Sequence, residues 1–179
     1  MDNIKGDIEY EINDGKGHIK EYNFKGKLIF EGEYLNGERN GKGKEYYRQQ
    51  RGKRNDELEL EFEGEYLNGK RNGKGKEYNR SGQLIFEGEY LNGERNGAGK
   101  EYDYELYSDD DGKLKFEGEY LNGEKSGKGK EYYDKGKLKF EGKFINGKRN
   151  GKGKEYDYDG ELIFEGEYLN ARKWERRRI

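Results

Sequence analysis

Cysteine, proline, valine and threonine are absent from the 179 residues, and methionine, tryptophan and histidine occur once each. Without cysteine the chain has no disulfide staples, no thiolate metal ligands and no thiol nucleophile. The lone His18 has no signalled partner to fix its tautomer and reads as a structural residue, not a catalytic one. No run approaches the roughly 20 apolar residues of a membrane-spanning helix. The opening MDNIKGDIEY carries no apolar core of a signal sequence. These absences lead to the expectation of a soluble, cytoplasmic chain. Segregated charge is missing too: the net charge is -2, and Lys and Arg are interleaved with Glu, which argues against nucleic-acid binding.

What is present is charge and aromatic side chains. Charged residues make up 42% of the chain while Leu, Ile and Phe together number only 30, a balance that on its own suggests disorder. The 17 Tyr and 8 Phe, however, recur at fixed positions, so a thin core can form by setting one regular unit against the next.

The unit is FEGEYLNGERNGKGKEY, from Phe30 to Tyr46, with near-copies starting at Phe62, Phe86, Phe116 and Phe140 and a truncated one at Phe164. Successive Phe positions lie 32, 24, 30, 24 and 24 residues apart, a base period of 24 with two insertions. Leu28, Phe30, Gly32 and Tyr34 alternate with Glu31 and Glu33, the period of a half-buried strand. Asn36-Gly37 and Asn40-Gly41 supply the positive φ angles of tight turns. A shorter strand is expected at Gly43 to Tyr46, and a Gly136-type turn returns the chain to the next unit. Each unit is one β-hairpin. The side to which Tyr46 points is left open: strict alternation from Gly43 puts it opposite Phe30, so either a bulge intervenes or both faces are partly covered.

Residues 1–29 read as a degenerate capping unit, with Ile4, Gly6 and Ile8 where Phe, Gly and Tyr stand later and Gly15 and Gly17 matching Gly41 and Gly43. Residues 30–170 form the repeat array and 171–179 a basic tail. The insertion Arg48 to Glu61 suggests a longer hairpin with a charged tip. The acidic run Ser108 to Gly112 lacks the spacing of a calcium loop. In ARKWERRRI a short helix laying Trp174 over the last hairpin is the simplest account. Trp174, Arg176, Arg177 and Arg178 could equally touch an acidic partner or a membrane surface.

Stacked hairpins turn repeated positions into rows about 10 Å apart. Glu and Lys rows on neighbouring strands compensate each other. The tip row Arg39, Arg71, Arg95, Lys125 and Arg149 is matched inconsistently by Glu38, Lys70, Glu94, Glu124 and Lys148, which makes it the candidate strip for a partner. Carboxylates recur in every unit, whereas catalysis needs one unique site with unequal environments. Gly-x-Gly lies between strands and lacks the helix that follows a phosphate loop. No catalytic residue, cofactor, metal or small-molecule substrate is expected.

FEGEYLNGERNGKGKEY, with its KEYY and KGKLKFEG segments, resembles the MORN repeat, whose pattern is aromatic-Glu-Gly-aromatic-turn-Gly-x-Gly. The likeness runs from the weak copy at Ile4 to Asn170. It departs in having Tyr or Phe where Trp is usual and 24 residues where about 23 is usual. The resemblance implies an all-β, elongated, single-layer antiparallel meander of about 13 strands. It also implies protein interaction and homodimerisation, often at cytoskeletal, ciliary or membrane-junction structures. Binding of acidic phospholipids is a proposed role of the family. The expected function is a non-enzymatic scaffold that binds a protein partner, with a phospholipid-binding membrane adaptor as the alternative.

Overall fold

The computed structural model describes residues 8–47, 58–104 and 112–174. Its strands are β1 (Ile8–Asn13), β2 (Lys16–Tyr22), β3 (Leu28–Leu35), β4 (Glu38–Tyr46), β5 (Leu60–Leu67), β6 (Lys70–Tyr78) and β7 (Leu84–Leu91). They continue with β8 (Glu94–Asp103), β9 (Lys113–Leu121), β10 (Glu124–Tyr132), β11 (Leu138–Ile145), β12 (Lys148–Tyr156), β13 (Leu162–Leu169) and β14 (Arg172–Trp174). All belong to one open sheet in which spatial order follows chain order, and neighbours run antiparallel. Two compact units emerge from the contacts. The first holds the described residues up to Leu84 with Tyr90–Gly93, and the second holds Ile85–Glu89 with the described residues from Glu94 onward.

The hairpins from β3–β4 to β11–β12 turn on Asn-Gly with both residues at positive φ, for example Asn36 at 51° and Gly37 at 85°, while the first turns on Asp14-Gly15 and the last on Asn170-Ala171. That is the backbone sense that matches strand twist. The second Asn-Gly pair makes no turn. Asn40-Gly41 lies inside β4, where the register slips between Gly32 and Tyr34 and Gly41 has φ 102°. Strand β4 therefore begins at Glu38, not at Gly43, and the pair forms a bulge within it. The return turns close as expected: Gly26 has φ 69°, and Asn23 Oδ1 accepts the N–H groups of Lys25 and Lys27 at 2.9 and 3.2 Å.

The core is one face of the sheet. Phe30 and Phe62 in the first unit, and Phe86, Phe116 and Phe140 in the second, are fully buried. Phe30 lies flat over the paired Gly32 and Gly43, where an added Cβ would come within 2.8 and 2.6 Å of its ring. Tyr34 and Tyr66 meet that ring edge-on, with centroids 6.0 and 5.3 Å away. The motif is glycine-rich because the phenylalanine needs the floor. Full burial of each such ring contributes about 1.5–3 kcal/mol, and edge-to-face contacts add about 0.5–1.5 kcal/mol.

The side of Tyr46 is resolved both ways. It points to the face opposite Phe30, donating its hydroxyl to Glu31 at 2.6 Å, and a bulge does intervene, on the partner strand, between Glu45–Phe62 and Tyr46–Leu60. The second face is thus partly covered by tyrosine.

Both ends correct the sequence reading. In β1, Ile8 pairs with Glu21 as Phe30 does, so Ile8 occupies the Phe position and not the Tyr position. Buried Ile19 faces Gly32, where Gly43 stands later, so Gly17 corresponds to Gly41 and Gly15 to the turn. Ile4 and Gly6 lie outside the described residues. At the other end Arg172–Trp174 are strand β14 paired with β13, so no helix starts there. Trp174 is half exposed instead of laid over the hairpin.

Candidate functional site

The tip cations lie against the aromatic core. Arg39 stacks 3.9 Å over the Phe30 ring and donates to Glu21 at 2.9 and 3.0 Å and to Glu45 at 2.7 Å. Arg71 stacks at 4.1 Å over Phe62 and donates to Glu45. In the second unit Arg95 lies 4.0 Å over Phe86, Lys125 lies 4.4 Å over Phe116, and Arg149 lies 4.3 Å over Phe140. Lys125 pairs with Glu101 at 3.0 Å, and Arg149 with Glu131 and Glu155 at 2.5 and 3.2 Å. Within each unit these cations serve as a lid on the phenylalanines. Lys173 is a further member that sequence reading missed, 5.0 Å over Phe164 and 2.8 Å from Glu155. The signal was its place three residues after the last Asn in ARKW, where NGKR and NGER put their arginine.

The carboxylates under this lid come from the strand that carries Gly-x-Gly. Burial opposes the negative charge of Glu21, but hydrogen bonds from Arg39 and Tyr34 overcome it and hold the carboxyl below its ordinary range. Burial likewise opposes the charge of Arg39, and Glu21 and Glu45 keep its pKa above the usual value nonetheless. The Tyr34 phenol, buried and donating to Glu21, is pushed up to about 12. Glu21, Arg39 and Tyr34 thus satisfy one another, whereas the buried Tyr66 hydroxyl in the next hairpin has no hydrogen-bond partner among the described residues. Of the tail residues named from sequence, Trp174 is on β14, and Arg176, Arg177 and Arg178 lie outside the described residues.

The opposite face carries the open chemistry. Glu31 faces Lys44, which also faces Glu63, and Tyr46 and Tyr78 donate to these two glutamates at 2.6 and 2.7 Å. The second unit repeats the scheme with Tyr102 on Glu87, Tyr132 on Glu117 and Tyr156 on Glu141. There a groove of about 980 Å³ is floored by glycine backbone from Gly99 to Gly166 and walled by Lys and Glu side chains. In the first unit a smaller one of about 550 Å³ lies between Glu33 and Leu67. Along the hairpin tips of this face Leu121, Ile145 and Leu169 in the second unit, and Leu67 in the first, are about half exposed. That apolar row was overlooked although Leu or Ile precedes every hairpin Asn-Gly.

Among the described residues no group of three or more His, Cys, Asp or Glu could hold a metal ion, and no helix is long and apolar enough to cross a membrane. His18 is exposed on β2, opposite Glu33.

Stacked hairpins with one aromatic face and one charged face define a β-repeat protein, whose described residues repeat much the same constellation from one hairpin to the next. A sequence model of the MORN repeat matches residues 30–49, 62–83, 86–104, 116–137 and 140–161. The chain belongs to the MORN repeat family. No curated protein matches it in a sequence search.

Proposed function

We propose that the chain is a non-catalytic cytoplasmic scaffold that holds a partner protein on its glutamate–lysine face within a larger assembly. The observation that carries this reading is the division of the sheet. The aromatic face is filled and capped by its own arginines, while the other presents a glycine-floored groove of about 980 Å³ beside half-exposed Leu121, Ile145 and Leu169. Half-exposed apolar side chains rimmed by charge suit a protein partner. Ion pairing of the tip row weakens the case for a membrane adaptor, because Arg39, Arg71, Lys125 and Arg149 are committed to glutamates. A second copy of this chain is one candidate partner.

Photo-crosslinking residues placed at Lys130 and Lys154, inside the groove, and at Gly37 and Gly93, on turn tips away from it, test the reading. Adducts of defined mass from the groove positions alone are expected. Equal labelling from all four positions, or quantitative flotation of the chain with anionic vesicles and no protein adduct, would overturn it.

A further inference from the structure

The charged face breaks its pattern at Lys143. At Glu33, Glu89 and Glu119 a carboxylate oxygen lies 2.0 Å from where a Cβ of the neighbouring bulge glycine would stand, whereas at Gly151 the nearest atom is Lys143 Cδ, 3.6 Å away. Glu89 uses that position to accept the N–H of Ala98 at 3.2 Å. Lys143 cannot accept a hydrogen bond. The substitution also disturbs charge across strands: Lys42 faces Glu65 and Lys152 faces Glu167, but Lys128 faces Lys143.

Lys152 follows Gly151 in the bulge beside Lys143, so three lysines converge on one part of the groove. All three are exposed, and none forms an ion pair with a described residue. Like charges directly opposed on neighbouring strands, about 5 Å apart, destabilise a sheet. The acids lining the same groove are Glu117, Glu119, Glu141, Glu165 and Glu167, of which Glu119 is drawn in beside Gly127 and Glu167 lies opposite Lys152. Farther along the same row the pattern breaks in the other sense, since Ala98 faces Glu119 where a lysine would compensate it. The row is therefore basic through Lys128, Lys143 and Lys152, with Glu119 on one side of them and Glu167 on the other.

We propose that Lys128, Lys143 and Lys152 form an anion-recognition site that takes an acidic segment of a partner protein, its carboxylates lying over the bulge at Gly151. This rests on reading the charged face as a protein-binding surface. A peptide segment fits better than a membrane because the charge alternates within the groove. A flat anionic surface brought to the lysines also meets Glu117, Glu119, Glu165 and Glu167, while a chain segment sets its acids only where the lysines stand.

The test is an NMR titration of the full, isotope-labelled chain with a polyglutamate peptide at low salt. Shifts are expected to concentrate at Gly127–Lys130, Gly142–Lys143 and Gly151–Lys154, with affinity falling about tenfold or more in Lys143→Glu. That variant restores the residue type found at the equivalent positions, so it keeps the fold, and Lys42→Ala in the first unit should leave binding unchanged. Shifts spread evenly over all groove lysines, undiminished binding in Lys143→Glu, or tighter Lys143-dependent binding of phosphatidylserine vesicles than of the peptide would each overturn the assignment. If groove crosslinks to a protein persist while polyglutamate fails to bind, this inference falls and the scaffold reading stands. If no groove crosslinks form, the scaffold reading falls with it.

Discussion

A methyl group added at Gly75 would stand 2.4 Å from Cζ of Phe62 and 3.1 Å from Cε2 of Tyr90; at Gly64 it would meet backbone, 2.6 Å from the Lys74 carbonyl oxygen and 2.7 Å from the Gly75 Cα. Neither distance is tolerable, so Gly75→Ala must push the Phe62 ring off its floor and Gly64→Ala must part β5 from β6. Overpacking of this kind costs about 1–3 kcal/mol. Displacing the ring also weakens its contact with Arg71 at 4.1 Å, a further loss of about 0.5–2 kcal/mol. Gly37 is the control. It has φ 85° and nothing within 4 Å of its Cβ position, so Gly37→Ala pays only left-handed backbone strain, about 1–2 kcal/mol. Urea unfolding followed by circular dichroism should therefore show both Gly64→Ala and Gly75→Ala as more damaging than Gly37→Ala. Trimming the ring should relieve the clash, so Phe62→Leu with Gly75→Ala together should cost clearly less than their separate costs added. Equal midpoints for the three alanine variants, or strict additivity in the double variant, would refute the claim that glycine is required as the floor for phenylalanine.

Ala171 holds a left-handed backbone at φ 66° where earlier hairpins have glycine, so Ala171→Gly should raise the unfolding midpoint by up to about 1–2 kcal/mol equivalent, or less if β14 frays first. Lys143→Glu should stabilise the second unit by about 0.2–1 kcal/mol, measurable by the same urea titration. Alkaline unfolding has a defined sign. Burial and glutamate neighbours raise Tyr34, Tyr102 and Tyr168 from 10.0 to about 12, so their contribution is whole below pH 10 and is lost as the pH rises toward 12. Phenolate absorbance should rise together with loss of sheet signal; titration of all tyrosines near pH 10 in a folded chain would contradict this. On the acid side, Glu21 and Glu155 titrate below 4.5 when folded despite their burial, because Arg39 and Tyr34 hold the one and Lys173 and Arg149 the other. Stability from them is present above about pH 4.5 and is lost as the pH falls through their lowered values.

Hairpins, their turns at Asn36-Gly37 and the buried row at Phe30 were legible because each rests on local chemistry: alternation, positive φ and an aromatic ring every unit. Failures came where one residue type serves two purposes. Asn40-Gly41 has the same letters as the turn at Asn36-Gly37, but register across three strands makes it a bulge, and register is a property of neighbours. The chain neighbours of the tip arginines, Glu38 and Lys70 among them, do not compensate them consistently. Their acids, Glu21 and Glu45, arrive from two strands before, 18 and 26 residues away from Arg39 and Arg71. The C-terminal ARKW has good helix formers, yet its Lys173 completes the cationic lid over Phe164 and its backbone pairs with an open strand edge, which outweighs propensity. The Leu or Ile before each Asn-Gly falls in step with the glutamates and not with the phenylalanine, so alternation already places Leu67, Leu121, Ile145 and Leu169 on the charged face, where they are half exposed.

A repeat that puts its phenylalanine, glycines and arginine on one side leaves the other side free of structural duty, and that asymmetry bears on how the chain can vary. Changing Gly32, Phe30 or Arg39 disturbs a ring, its floor and its lid at once, so these positions are coupled within each unit. Lys44, Glu33 and their equivalents lie on the solvated face, where exchanging one charge costs little. The departures at Ala98 and Lys143 both fall on that face, while Phe and Gly-x-Gly are kept in all five matched repeats. A site for a partner is expected where substitution is cheap to the fold and unlike its copies, and in the second unit the groove row through Ala98, Glu119, Lys128, Lys143 and Lys152 meets both conditions.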